Sequence, residues 1–169
     1  MLHLNLLTSK WNGDLMRANP MVIEALNNVL AGELTAINQY FLHGRMCRNW
    51  GYMKLGDTVY SHSIGEMKHA SEITDRILFL EGVPNLQKLG KINIGETVEE
   101  QLKADLNLEE EALVILKKGI AICTEVSDFT SKALLERILV DEEGHVDWLE
   151  TQLSLFKNLG AENYLALQI

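Results

Sequence analysis

Proline is nearly missing from this 169-residue chain: there are two, Pro20 and Pro84. Long helices are therefore possible on either side of residue 84. Cysteine is equally scarce. Cys47 and Cys123 lie too far apart to found a disulfide scaffold, and with no CxxC there is no tetra-cysteine zinc or rubredoxin-like iron module. Both read as small buried hydrophobes. No run approaches the roughly 20 apolar residues of a membrane span. Positive charge is in deficit, with 15 basic against 24 acidic residues and a net charge of −9. That balance argues against binding to nucleic acid through its phosphates; it suits the attraction of metal cations and equally the ordinary solubility of an acidic protein. Strand-like alternation of apolar and polar residues is also scarce.

What the chain has is apolar content, 47% of its residues, enough for the core of one compact domain. Residues 1–15 hold short apolar pieces broken by Asn5, Ser9 and Asn12. They offer neither a signal-peptide core nor a small-residue cleavage site. We read them as a disordered N-terminal extension, or as sequence upstream of a start at Met16, and expect a cytoplasmic protein.

Helical periodicity runs through four long segments. Asn19-Pro20 opens the first as N-cap and first helical residue. Leu26, Leu30, Glu33, Ile37 and Tyr40 then share a face. Gly51 interrupts, and Leu55, Val59, Glu66, His69, Ile73, Ile77 and Leu80 mark the second. Each spans about 45 Å. Gly82, Pro84, Gly90 and Gly95 break the pattern over residues 81–96. Nearly extended, that stretch covers about 45–50 Å, so it can return the chain along the whole bundle. Thr97 and Glu100 form a capping box for the third helix, whose inner stripe is Leu102, Leu106, Glu109, Leu113, Leu116 and Ile120. Asp128 caps a fourth, with Leu135, Ile138, Leu139, Glu142, His145, Leu149 and Leu153 inward. Gly160 ends it, and 161–168 predict a short fifth helix. The fold class is all-α, a four-helix bundle with one long crossover.

Within those stripes lies a repeat. Glu33 precedes Glu66-x-x-His69 by 33 residues, Glu109 precedes Glu142-x-x-His145 by 33, and every member is displaced from its counterpart by 76 positions. Residues i and i+3 share a helix face, so each Glu/His pair can ligate from one side. One ExxH alone is a common surface triplet; two, each with an inward Glu at the same offset, converge. Four buried carboxylates are untenable unpaired, whereas two divalent ions balance their charge and neutral imidazoles add none. Oxygen-rich ligation with one imidazole per ion suits iron or manganese, and zinc as a redox-inert substitute. The set resembles the ligand pattern known from ferritin-like di-iron and di-manganese bundles, and we expect such a domain over residues 16–169. By position, Glu66 and Glu142 are the bridging candidates, with Glu33 and Glu109 terminal. Tyr40, two turns past Glu33, reads as core packing, as a hydrogen-bond partner of a ligand, or as an electron donor. Met67 points about 100° away from Glu66, outward, where it can pack against a partner, bind a soft metal or ligate haem.

Longer stretches carry a family resemblance. Residues 33–43 (ELTAINQYFLH), 66–70 (EMKHA), 76–86 (RILFLEGVPNL) and 141–151 (DEEGHVDWLET) resemble bacterioferritin, and the likeness extends over nearly all of 16–169. The resemblance implies a ferroxidase centre holding two irons at Glu33, Glu66, His69, Glu109, Glu142 and His145. It implies that Met67 is an axial ligand of haem b shared between two subunits. It further implies a hollow 24-subunit shell storing ferric mineral, with the fifth helix lining four-fold pores. Fe2+ would be oxidised by oxygen or peroxide, and a ferredoxin-type reductant would act through haem on release. The chain departs from many members at Ser61, His62 and Gly65, where they carry His, Glu and Asp on the cavity side of the second helix. That puts an inner-surface iron site in question. A haem-carrying or structural subunit of a mixed shell, with a second subunit type, and a non-storage di-iron peroxidase are the other readings.

Overall fold

A computed structural model describes residues 19–169; the expected extension at residues 1–15 lies outside the described residues. Five helices follow one another: α1 (Pro20–Asn49), α2 (Met53–Phe79), α3 (Val98–Glu125), α4 (Phe129–Leu159) and the short α5 (Ala161–Ala166). No strand occurs among the described residues.

Local chemistry sets the helix ends. Asn19 Oδ1 accepts from the Met21 N–H at 2.9 Å, with Pro20 in the first turn. Asp128 Oδ1 accepts from the Ser131 N–H at 3.0 Å. Thr97 Oγ1 accepts from the Glu100 N–H at 3.2 Å, while the Glu100 carboxylate accepts from Glu96 N–H at 2.9 Å. The capping box thus closes one residue earlier than its usual pattern. Each such cap is worth about 1 kcal/mol. Gly160 turns α4 into α5 with φ +76°, a conformation that costs glycine nothing.

α1 and α2 form one antiparallel hairpin and α3 and α4 the other; α1 packs on α3, and α2 meets α4. Gly44 and Gly56 let α1 and α2 cross closely, since a Cβ on Gly56 would sit 2.9 Å from the Gly44 carbonyl oxygen. The crossover returns along α1 and is tied to it at intervals. Asn27 Oδ1 accepts from Asn85 N–H at 2.7 Å, and Thr35 Oγ1 from Gly90 N–H at 2.8 Å. Gln39 Oε1 accepts from Asn93 N–H at 2.9 Å, and His43 Nε2 from Gly95 N–H at 3.1 Å. From Asn27 to His43 the helix rises about 24 Å. Residues 85–95 match that rise, so the loop is more relaxed than the nearly extended return expected from its length. Side chains hold it against the helix at this pace.

The interior divides into two apolar clusters. One gathers Leu26, Leu30, Ile73, Ile77, Leu116, Leu135 and Ile138. The other gathers Tyr40, Leu55, Val59, Leu102, Leu149 and, from α5, Tyr164. Along α1, Glu33 falls between Leu30 of the first and Ala36 of the second. The bundle's charged residues meet there.

Candidate metal centre

Each helix of the bundle supplies a carboxylate: Glu33 from α1, Glu66 from α2, Glu109 from α3 and Glu142 from α4; α2 and α4 add His69 and His145. All four carboxylates are at most 4% exposed. Their ligand atoms fall into two groups, each within 4.8 Å of one another: Glu33, Glu66, His69 and Glu142, and Glu66, Glu109, Glu142 and His145. Glu66 and Glu142 belong to both. His69 Nδ1 stands 3.1 Å from Glu66, 3.0 Å from Glu142 and 3.4 Å from Glu33. His145 Nδ1 stands 3.0 Å from Glu66, 2.9 Å from Glu142 and 3.5 Å from Glu109. The structure therefore brings together all six residues of the repeat, with both Nδ1 atoms turned inward.

The electrostatics are those of a site built for cations and holding protons. Burial opposes a charge on His69, but its contacts with Glu142, Glu33 and Glu66 outweigh burial and push its pKa up to about 12. Contacts with Glu109, Glu142 and Glu66 likewise push His145 up to about 12 against the effect of burial. Burial raises Glu109 to about 8 and Glu33 well above its ordinary value. Glu66 resists burial through bonds to both imidazoles, which hold it below the usual carboxylate range. Glu33 Oε2, Glu66 Oε1 and Glu142 Oε1 are buried without a well-formed hydrogen bond, each facing only an imidazole Nδ1 that other carboxylates share. Such orphaned acceptors cost on the order of 1–3 kcal/mol each. Two divalent ions would answer all three, so the donor set fits hard, oxygen-seeking metals.

The surroundings contain groups that the repeat did not announce. Tyr40 is fully buried, and its hydroxyl donates to Glu109; burial, then the Glu109 charge, raises its pKa well above the ordinary value. Tyr40 thus packs in the core and bonds Glu109, a member of the repeat. Asp141 of α4 meets Nε2 of His69 at 3.2 Å. His62 turns toward the centre: its ring stacks on His145 with centroids 4.6 Å apart and 21° between planes, edge-on to Trp148. Burial, then the His145 charge, lowers the His62 pKa to about 4, so this imidazole stays neutral. Beyond Tyr40, Asp105 Oδ1 accepts from Gln39 Nε2 at 2.8 Å and meets His43 Nδ1 at the same distance. Because His43 Nε2 accepts from Gly95 N–H, its proton sits on Nδ1.

The centre opens on two sides. A cavity of about 450 Å³ between α1 and α3, partly roofed by residues 88–91, reaches Glu33, Glu66, Glu109 and Glu142. A cleft of about 410 Å³ between α2 and α4 reaches His69 and His145 past Gly65 and Gly144. Met67 stands apart, 51% exposed on α2, as its outward helix position predicts. Cys47 and Cys123 are buried and free; Cys47 also donates to Gln101 Oε1 at 3.1 Å, so it is more than an apolar filler.

Comparison with known proteins adds lineage to geometry. Residues 23–159 match the Ferritin family, a ferritin-like domain. The chain is 52% identical over 151 residues to the bacterioferritin of Mycobacterium bovis (strain ATCC BAA-935 / AF2122/97), covering 89% of this chain and 95% of that one. It is 51% identical to the bacterioferritin of Mycobacterium leprae (strain TN) over the same shares. Against that of Rhodobacter capsulatus it is 47% identical over 152 residues, 90% of this chain and 94% of the relative.

Proposed function

This chain belongs to the bacterioferritin family, and from that membership we propose that it is an iron-storing ferroxidase. Two Fe2+ ions are its substrate at Glu33, Glu66, His69, Glu109, Glu142 and His145, with Glu66 and Glu142 shared between them. The observation that carries this reading is the pair of overlapping ligand groups with two carboxylates in common. Shared carboxylates keep the ions close enough to surrender their electrons together. Two Fe2+ give two electrons to O2, which takes two protons and leaves as H2O2; with H2O2 as oxidant, the same two electrons and two protons yield two waters. The donor set balances the charge of the incoming ions as their protons leave, and Tyr40 orients Glu109 through its hydroxyl. Oxidised iron then passes to a mineral store.

Self-association fits the surface. Phe41, Met67, Leu78 and Phe79 leave large apolar side chains about half exposed on α1 and α2, the kind of surface that a partner covers. A closed 24-subunit shell in the cytoplasm, built from two-fold dimers, is the assembly we propose. Met67 suits a haem on that surface: its thioether is exposed, and Met67 of two subunits would hold the group between them. Haem bound there would furnish a path for electrons during iron release, from a ferredoxin-type donor.

Native mass and aerobic Fe2+ oxidation test the proposal together. A shell-sized species that oxidises Fe2+ faster than buffer supports it, and Glu109→Ala should abolish the fast phase and leave the assembly whole. A mass of one or two subunits would favour a non-storage di-iron peroxidase. A shell with no oxidation above buffer would favour a haem-carrying or structural subunit of a mixed assembly. Met67→Leu should lose the bis-thioether haem spectrum and keep its oxidation rate.

A further inference from the structure

The two ligand histidines are backed differently, and the repeat shows where the difference arises. Asp141 on α4 reaches across to Nε2 of His69 on α2, at 3.2 Å. The position 76 residues before Asp141 is Gly65, on α2, and the counterpart of His69 is His145, on α4. A carboxylate at position 65 would therefore stand to His145 as Asp141 stands to His69. Glycine supplies none. Among the described residues, no side chain bonds Nε2 of His145; His62 stacks on its ring, which braces the plane and accepts nothing from Nε2. Gly65 and His145 line the same cleft, and a Cβ built on Gly65 meets no atom within 4 Å. The place for a partner exists and is empty of one. His145 is also the more open ligand, its side chain 18% exposed against 7% for His69.

A carboxylate on the far nitrogen of a ligand imidazole fixes its tautomer, aims the ring and makes the near nitrogen a stronger donor. Losing such a partner costs about 10–100-fold in metal affinity. We propose that the two cation sites are unequal: the Glu33/His69 site holds its ion more tightly, the Glu109/His145 site releases its ion first, and the pair Asp141/Gly65 sets the difference. The proposal rests on the two-metal reading above. Asp141 acts here as a positioning residue through His69, without touching the ion.

The test is a Co2+ titration of the assembled, metal-free protein, followed by its visible d–d absorption and by calorimetry. Two ions should bind per subunit in two steps separated by about 10–100-fold. Glu109→Ala should keep only the tighter step, which assigns it. Asp141→Ala should weaken the tighter step about tenfold or more and draw the two together, with Asp141→Asn intermediate. Gly65→Asp should tighten the weaker step by a similar factor, while Gly65→Ala, which fills the position without a carboxylate, should match the parent protein. Two equal steps in the parent, or a Gly65→Asp curve no different from Gly65→Ala, would overturn the proposal and leave two-metal binding intact. No Co2+ binding at the cluster would overturn both.

Discussion

His69 and His145 each turn Nδ1 toward Glu66 and Glu142. On the far side of each ring the likeness ends. Asp141 meets Nε2 of His69, whereas the answering position beside His145 holds Gly65 and the neutral ring of His62 lies against it. The counterpart of His62, 76 positions on, is Ile138, a fully buried member of the apolar core. The repeat has thus kept what a cation demands and diverged in what adjusts the demand. Charge neutrality leaves no latitude in four buried carboxylates, because an unmatched one costs several kcal/mol. An outer partner changes affinity by a factor that a functioning site can absorb.

Removing what the halves share should have the largest effect. Glu66→Ala strips a ligand from both groups, so initial Fe2+ oxidation should fall by more than the roughly 100-fold expected of an outer partner, and Co2+ stoichiometry should drop below two per subunit. If one ion still binds with full affinity, Glu66 serves one half only.

Protons come next. The metal-free centre holds protons on His69, His145 and Glu109, whose pKa values lie above their ordinary ones. For the histidines, the stabilisation is complete below about pH 6.5 and is lost as pH climbs toward 12. A carboxyl raised to about 8 is stabilising as the acid and loses that advantage between its ordinary value and 8. All three act in one direction: metal-free protein should melt on the order of 5–10 °C lower at pH 9 than at pH 6. Bound Co2+ should flatten the slope by replacing those protons, and by the same linkage Co2+ affinity should rise with pH. Scanning calorimetry at both pH values reads the sign; a metal-free protein that gains stability toward pH 9 contradicts it.

The smallest effect belongs to His62→Ile, which copies the other half. It forfeits a ring contact worth about 0.5–1.5 kcal/mol but removes a buried Nδ1 that lacks a partner, so stability should change by less than about 1 kcal/mol. The d–d bands of the ion beside His145 should shift, and those of the ion beside His69 should not. Equal shifts in both would mean that the ring serves the centre as a whole.

Much of this was legible in sequence because it repeats or punctuates. Asn19, Thr97 and Asp128 announce helix ends by chemistry confined to a few neighbouring residues, and the six residues of the repeat announce themselves by equal spacing. Asp141 and His62 have no such signal. Asp141 is half exposed on a charged stretch next to Glu142, and nothing in its spacing distinguishes it from a solvated surface acid. His62 is a lone imidazole whose counterpart is aliphatic, so comparison of the halves passes over it; three-dimensional packing alone brings it against His145. The crossover was legible as a length but not as an attachment, because its partners are main-chain N–H groups, which every residue but proline possesses.

That attachment constrains how the chain can change through insertion and deletion. Surface loops ordinarily gain and lose residues freely. Here the amides of Asn85, Gly90, Asn93 and Gly95 are matched in order to acceptors on Asn27, Thr35, Gln39 and His43. A residue added between Gly90 and Asn93 would carry the later amides past Gln39 and His43, leaving the buried acceptor on His43 unanswered. Before Asn85 the same asparagine holds the chain from the other side, Asn27 Nδ2 donating to the Val83 carbonyl at 3.2 Å. From Gly90 to Gly95 the loop is held to a residue count as strictly as a helix in the core.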